Sequence, residues 1–202
     1  MTDKNKEERD LFKEITSCQK CCLHEQRRQV VVGQGLLSAR VMLIGEAPGK
    51  EEDESGLPFQ GRSGRLLRTL LEEAGFNCDQ DIYICNTVKC RPPANRKPKQ
   101  RELDACTSFL EAQINLVNPE LILLCGATAV QLFFSKKTAI SKLRGQLDNK
   151  RVSFRKKSLT LMPLFHPAYL LRNPSKEEGK PLSLMRHDLK KAKQYLFQKL
   201  NK

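Results

Sequence analysis

The sequence predicts an α/β fold, a parallel sheet covered on both faces by helices. Two observations carry this. The apolar runs Val41-Met42-Leu43-Ile44-Gly45 and Leu121-Ile122-Leu123-Leu124-Cys125-Gly126 have strand length and end in glycine, the pattern of strands buried on both sides that open into a loop. Segments with helical spacing alternate with such runs, which is the order of βαβ units.

In chain order, residues Lys6 to Ile15 read as a helix that leads into Cys18-x-x-Cys21. Val41 to Gly45 is the first strand, followed by a polar loop. Ser63 to Ala74 carries leucines at 66, 67, 70 and 71 and stops at Gly75, a helix with one apolar face. Asp81 to Val88 reads as a second strand, and Lys99 to Val117 as a helix that opens near Pro98 and carries Cys106. Leu121 to Gly126 is the third strand and Ala127 to Phe134 its following helix. Leu159 to Phe165 is the fourth, ending at His166-Pro167-Ala168. The basic stretch from Lys136 to Lys157 is read as short hairpin strands or an open loop. Arg186 to Leu200 closes the chain as a basic amphipathic helix. No internal repeat or low-complexity linker interrupts the pattern, so one domain over residues 1–202 is expected.

Composition limits the function. Hydrophobic residues make up 39% and charged residues 29% of the 202, a globular rather than disordered balance. No apolar run approaches the roughly 20 residues that cross a bilayer. The N-terminal MTDKNKEERD lacks the apolar core of a signal peptide, so a reducing cytoplasm is expected. There, eight cysteines argue against a disulfide framework and for a metal centre with additional buried thiols. The net charge of +13 gathers phosphates and favours nucleic acid as partner.

The cysteines fall as Cys18-x-x-Cys21, then Cys90, then Cys106 after fifteen intervening residues. Close thiolate pairs suit zinc and iron–sulfur centres alike, and this spacing leaves the metal open. Cys90 and Cys106 bracket the densest basic segment, with Lys89, Arg91, Arg96 and Lys97 among its cations. Cys85 and Cys125 sit in apolar strands and are expected in the core; Cys22 is out of step with the pair and Cys78 lies in a loop.

Ligands of parallel α/β sheets bind beyond the carboxyl ends of the strands. Three polar motifs lie there: Gly45-Glu46-Ala47-Pro48-Gly49, Asn86 and His166-Pro167-Ala168. They are expected to converge on one cleft. The first lacks the lysine and hydroxyl residue of a phosphate loop. Phe59, between Gly56 and Gly61, is placed either to stack on a base or to anchor its loop. Asn86 offers a donor–acceptor pair suited to a pyrimidine edge, or to a neighbouring loop. His166 is the strongest catalytic candidate among three histidines.

Together these segments resemble the family 4 uracil-DNA glycosylases, the iron–sulfur members of the uracil-DNA glycosylase superfamily. The matching pieces are Gly45 to Gly49, Gly56-Leu57-Pro58-Phe59-Gln60-Gly61, Asn86-Thr87-Val88-Lys89-Cys90-Arg91-Pro92-Pro93, Asn95-Arg96, Cys106 and His166 to Arg172, in order over residues 18–188. The resemblance implies a three-layer α/β/α sandwich around a four-stranded, mainly parallel sheet. It implies that Cys18, Cys21, Cys90 and Cys106 hold a structural [4Fe–4S] cluster, and that the enzyme removes uracil from single- or double-stranded DNA. His166, Glu46 and Ala47 would be catalytic. Gly45, Glu46, Ala47, Phe59, Asn86, His166 and Glu52 would bind uracil, with Glu52 where it blocks thymine's methyl group. Lys89, Arg91, Arg96, Lys97 and Arg172 would meet DNA. Ala47 stands where the better-known family 1 enzymes have an aspartate. A monomer is expected. The rival reading is a catalytically silent DNA-binding relative that keeps the cluster.

Overall fold

A computed structural model describes residues 3–134, 139–152 and 158–200. Helix α1 (Asp3–Thr16) precedes a 3-10 turn at Cys22–Glu25 and strand β1 (Val41–Gly45). Then come α2 (Lys50–Ser55), α3 (Arg62–Glu73), β2 (Ile82–Asn86), α4 (Gln100–Val117), β3 (Leu121–Cys125) and α5 (Ala127–Gln131). Helix α6 (Ile140–Leu143), β4 (Asp148–Lys150), β5 (Leu159–Leu164), α7 (Pro167–Arg172) and α8 (Pro181–Leu200) complete the order.

The sheet runs β2-β1-β3-β5-β4. The pairs β1–β2, β1–β3 and β3–β5 are parallel, and β4 lies antiparallel on β5. The four parallel strands are those the sequence predicts. The fifth, β4, corrects the count of four. Its residues, Asp148-Asn149-Lys150, have no apolar alternation to reveal a strand. They cap the exposed edge of β5, where Thr160 Oγ1 donates to Asn149 Oδ1 at 2.9 Å, and a short polar strand suits an edge. It falls within the basic stretch expected to hold hairpin strands or a loop; residues 136–138 and 153–157 of that stretch lie outside the described residues.

Strand alternation sorts the core into two layers. Val41, Leu43, Leu121 and Leu123 face α3 and α8 through Leu67, Leu70, Met185 and Leu189. Met42, Ile44, Ile122 and Leu124 face α4 through Leu110, Ile114 and Val117. This is the expected three-layer sandwich. A third cluster, with Ile15, Leu23, Cys90, Cys106 and Phe109, joins α1 and the first cysteine pair to α4.

Two segments differ from expectation. The acidic run after Gly49 forms α2 instead of a polar loop, because the Glu52 carboxylate accepts the Gly49 N–H at 3.0 Å and caps the turn. Helix α8 begins at Pro181, a turn before Arg186, since proline is pre-set for a first helical position. No described helix is long and apolar enough to cross a membrane.

Leu123 is fully buried in the central strand. Leu123→Ala is expected to destabilise the fold by about 2–5 kcal/mol, checked by chemical denaturation.

Candidate active site and cysteine centre

The carboxyl ends of β1, β2 and β5 open into one cleft of about 800 Å³, lined by Glu46, Ala47, Glu52, Phe59, Asn86 and His166. That is room for a nucleoside-sized ligand. The three strand-end motifs therefore meet as expected, with Lys97, Arg96 and Arg172 at the same cleft.

Gly45 is the point of closest approach. A Cβ there would lie 2.4 Å from Asn86 Oδ1 and 2.6 Å from the Phe59 ring. Only a hydrogen side chain lets the carboxamide and the ring flank the end of β1 together. Phe59 adopts a left-handed backbone, φ 56°, which costs a non-glycine residue about 1–3 kcal/mol. Two features hold it. Glu52 Oε1 accepts the N–H groups of Gln60 and Gly61, both at 2.8 Å. Gly64 lets α3 pack on the Phe59 carbonyl, where a Cβ would come to 2.2 Å. Glu52 lines the cleft, but both its oxygens are engaged by backbone amides, so it also sets the position of Phe59.

Asn86 is only 2% exposed. Its main-chain carbonyl accepts Lys89 Nζ at 2.7 Å, whereas its side-chain carboxamide has no protein partner among the described residues. A buried unpaired amide costs about 1–3 kcal/mol, and one that faces a cleft marks a ligand contact.

His166 caps α7. Its Nδ1 accepts the Ala168 N–H at 3.2 Å, which assigns the ring proton to Nε2. Burial lowers its pKa from the ordinary 6.5, while the nearby Glu46 pulls the other way. The ring is thus a neutral N–H donor lining the cleft. Across from it, Glu46 Oε2 accepts Thr128 Oγ1, and the Glu46 main-chain carbonyl accepts Thr87 Oγ1 at 2.5 Å. Glu46 Oε1 has no protein partner among the described residues. Thr128 went unread in the sequence; its signal was the strand-then-glycine repeat at Cys125-Gly126, which brings a fourth strand end to the cleft.

Cys18, Cys21, Cys90 and Cys106 line one small cavity, shared with Lys89, Arg27 and His24. All eight cysteines are free thiols. Burial pushes the Cys90 thiol up to about 11 against the pull of Arg27, whose Nη1 donates to Cys90 Sγ at 3.3 Å. Burial likewise raises Cys21 and Cys106. Among the described residues no three His, Cys, Asp or Glu side chains converge as around a single ion. Four thiols around one cavity are a donor set that suits zinc and iron–sulfur centres alike. Cys85 and Cys125 are core residues as expected.

The basic loop is fastened from below. Glu102, fully buried, accepts Arg96 Nη1 and Nη2 at 2.8 and 2.6 Å and the Lys99 N–H at 2.7 Å. Arg96 holds the Glu102 carboxyl down at about 2. Arg96 therefore shapes the loop as well as lining the cleft. Arg91 Nε donates to Asn95 Oδ1 at 2.7 Å, and Lys97 and Arg172 are exposed. Lys89 corrects the sequence reading: it is 1% exposed, with Nζ bonded to Asn86 O and to Gln113 Oε1 at 2.5 Å. An ammonium turned into the core cannot meet a phosphate.

Residues 32–190 match the family model described as the uracil DNA glycosylase superfamily. The chain is 46% identical to the type-4 uracil-DNA glycosylase of Thermotoga maritima over 187 residues, covering 90% of this chain and 91% of that protein. It is 37% identical to the type-4 enzyme of Sulfurisphaera tokodaii, over 90% of this chain and 81% of that protein. Against that of Archaeoglobus fulgidus it is 36% identical, over 84% and 85%. With the cleft, the orphaned carboxamide and the neutral histidine in place, the chain belongs to the uracil-DNA glycosylase superfamily, among its type-4 members.

Proposed function

We propose that this protein hydrolyses the N-glycosidic bond of deoxyuridine in DNA, releasing uracil and leaving an abasic site. The observation that carries the reading is the buried, unpartnered carboxamide of Asn86 beside the Phe59 ring in a cleft that also holds a neutral His166.

A uracil inside a duplex is out of reach, so the base is extruded at a cost of a few kcal/mol, offset by phosphate contacts from Arg91, Lys97 and Arg172. Phe59 stacks on the ring. Asn86 accepts from N3–H and donates to O4; cytosine presents the opposite pattern, a mismatch worth roughly 1–3 kcal/mol. Glu52 stands against the 5-methyl of thymine. As the glycosidic bond breaks, charge gathers on O2, and His166 Nε2–H donates to it. The backbone at Gly45, Glu46 and Ala47 closes over the base. Glu46, fixed through Thr128, orients water with its free oxygen, which supplies the carboxylate that Ala47 lacks.

Cys18, Cys21, Cys90 and Cys106 would hold a [4Fe–4S] cluster, which supplies a rigid anionic crosslink between the N-terminal segment, the basic loop and α4. Its task is structural. The reading has a monomer acting in a reducing cytoplasm on single- or double-stranded uracil-containing DNA.

Incubation with uracil-containing oligonucleotides followed by alkali is expected to cut the strand at each uracil; intact strands would leave only the silent DNA-binding reading. His166→Ala is expected to lower turnover by about 100-fold or more, and Asn86→Ala by roughly 10- to 100-fold, each with DNA affinity nearly unchanged in a band-shift titration.

Gly45→Ala, which drives a methyl group into Asn86 and Phe59, is expected to cost about 100-fold in turnover and about 1–3 kcal/mol of stability, read by single-turnover rates and thermal unfolding.

The lowered His166 pKa sets the pH profile. A proton on Nδ1 would turn it against the Ala168 N–H and charge the ring, so activity is expected to fall only below pH 6.5. Single-turnover rates check this, and His166→Gln is expected to erase that limb.

Anaerobically purified protein is expected to contain about four iron and four sulfide per chain. One zinc per chain instead would overturn the cluster assignment. Loss of the metal is expected to lower the melting temperature and DNA affinity together.

A further inference from the structure

We infer that Lys89 is a positioning residue that ties the four-cysteine centre to the base-reading carboxamide of Asn86. The inference rests on the function proposed above and deepens it.

Asn86 is the last residue of β2, and the peptide that joins it to Thr87 is held at both ends. Its N–H, from Thr87, donates to Gly45 O at 2.9 Å. Its carbonyl, on Asn86, accepts Lys89 Nζ at 2.7 Å. With the peptide plane fixed, the direction in which Asn86 projects its side chain is fixed too. That matters because the carboxamide itself has no protein partner among the described residues to orient it. A residue that reads a base through two hydrogen bonds must already be aimed before the base arrives.

The other end of the brace is rigid. Lys89 Nζ also donates to Gln113 Oε1 at 2.5 Å. Gln113 in turn donates to Val32 O at 2.8 Å and to Tyr83 Oη at 3.1 Å. Gln113 and Cys106 both lie on α4, seven residues apart, which is two turns and one helix face. The face that presents Cys106 to the cysteine cavity therefore presents Gln113 to Lys89. Lys89 is also the chain neighbour of Cys90 and lines the same cavity. Two of the four cysteines thus flank the lysine, one along the chain and one along the helix.

Charge explains why a lysine stands there. A buried ammonium is costly unless an anion faces it. The groups around Nζ are the Asn86 carbonyl, the Gln113 carboxamide and the thiol of Cys85, with Cys106 also within electrostatic reach. No described carboxylate forms an ion pair with it. Thiolates on a metal at the adjoining cysteine cavity, which Lys89 also lines, would supply the anionic charge. A methionine of similar length would fill the space and lose both hydrogen bonds.

The test compares wild type, Lys89→Met, Asn86→Ala and the double variant. Turnover is read on a single-stranded uracil oligonucleotide. Affinity is read by fluorescence anisotropy on uncleavable oligonucleotides carrying 2′-fluorodeoxyuridine or 2′-fluorodeoxycytidine, with iron content as the check on folding. Lys89→Met is expected to lower kcat roughly 10-fold, leave KM and the affinity for the cytidine oligonucleotide unchanged, and shrink the preference for uridine. The double variant is expected to be no slower than Asn86→Ala alone. Wild-type kcat and preference in Lys89→Met would overturn the inference, as would penalties that multiply in the double variant, or a loss confined to DNA affinity. Wild-type protein that cuts no uracil strand would instead sink the glycosylase reading and is seen separately. Should Lys89→Met fail to retain iron, Gln113→Leu, which removes the second acceptor, is judged by the same outcomes: reduced preference sustains the inference and wild-type preference ends it.

Discussion

Asn86 is buried at the end of β2 with its carboxamide unpaired by any described protein group, and the architecture around it follows from that constraint. An amide left dry and unsatisfied destabilises the free protein by about 1–3 kcal/mol, and a ligand of complementary pattern recovers that energy. The neighbours are arranged to keep it unsatisfied and correctly aimed. Gly45 has no side chain to crowd it. Phe59 closes one side from a strained backbone that Glu52 holds in place. Lys89 braces its peptide from behind. Stability is given up at the place where, in the proposed reading, the base supplies the missing contacts.

Different side chains of one cleft suit affinity and chemistry. Arg96, Lys97 and Arg172, cations that suit phosphates, line it together with a neutral histidine and a carboxylate. A charged imidazole would compete for the Ala168 N–H side of the ring; burial keeps it neutral. The basic loop cannot fold on apolar contacts alone, since it is short of them. Glu102 fastens it through Arg96 and the Lys99 N–H, and the proposed cluster would fasten its two ends. In the proposed reading the cysteines are the scaffold of a DNA-facing loop, and through Lys89 they also reach the residue that reads the base.

Much of this was legible in the sequence because the chemistry sits at strand ends. The four parallel strands announce themselves as apolar runs, and the residues that follow them are those that meet in the cleft: Glu46, Asn86 and His166. What was not legible depends on direction rather than identity. Lys89 lies in the densest basic run and reads as a phosphate contact, yet the turn after Asn86 points it inward. Glu52 reads as a cleft carboxylate, but three backbone amides occupy its oxygens. Thr128 is an ordinary helix residue until the fold sets it against Glu46. Strand β4 has no apolar pattern, and only the open edge of β5 calls for it.

A cleft pre-formed to read uracil through Asn86 should bind the free base. Uracil titrated into the iron-loaded protein should raise its melting temperature as the ratio of ligand to dissociation constant grows. Cytosine should raise it far less, and Asn86→Ala should abolish the difference. Equal stabilisation by the two bases in wild type, or a uracil preference that survives Asn86→Ala, would rule out a cleft that reads uracil through Asn86.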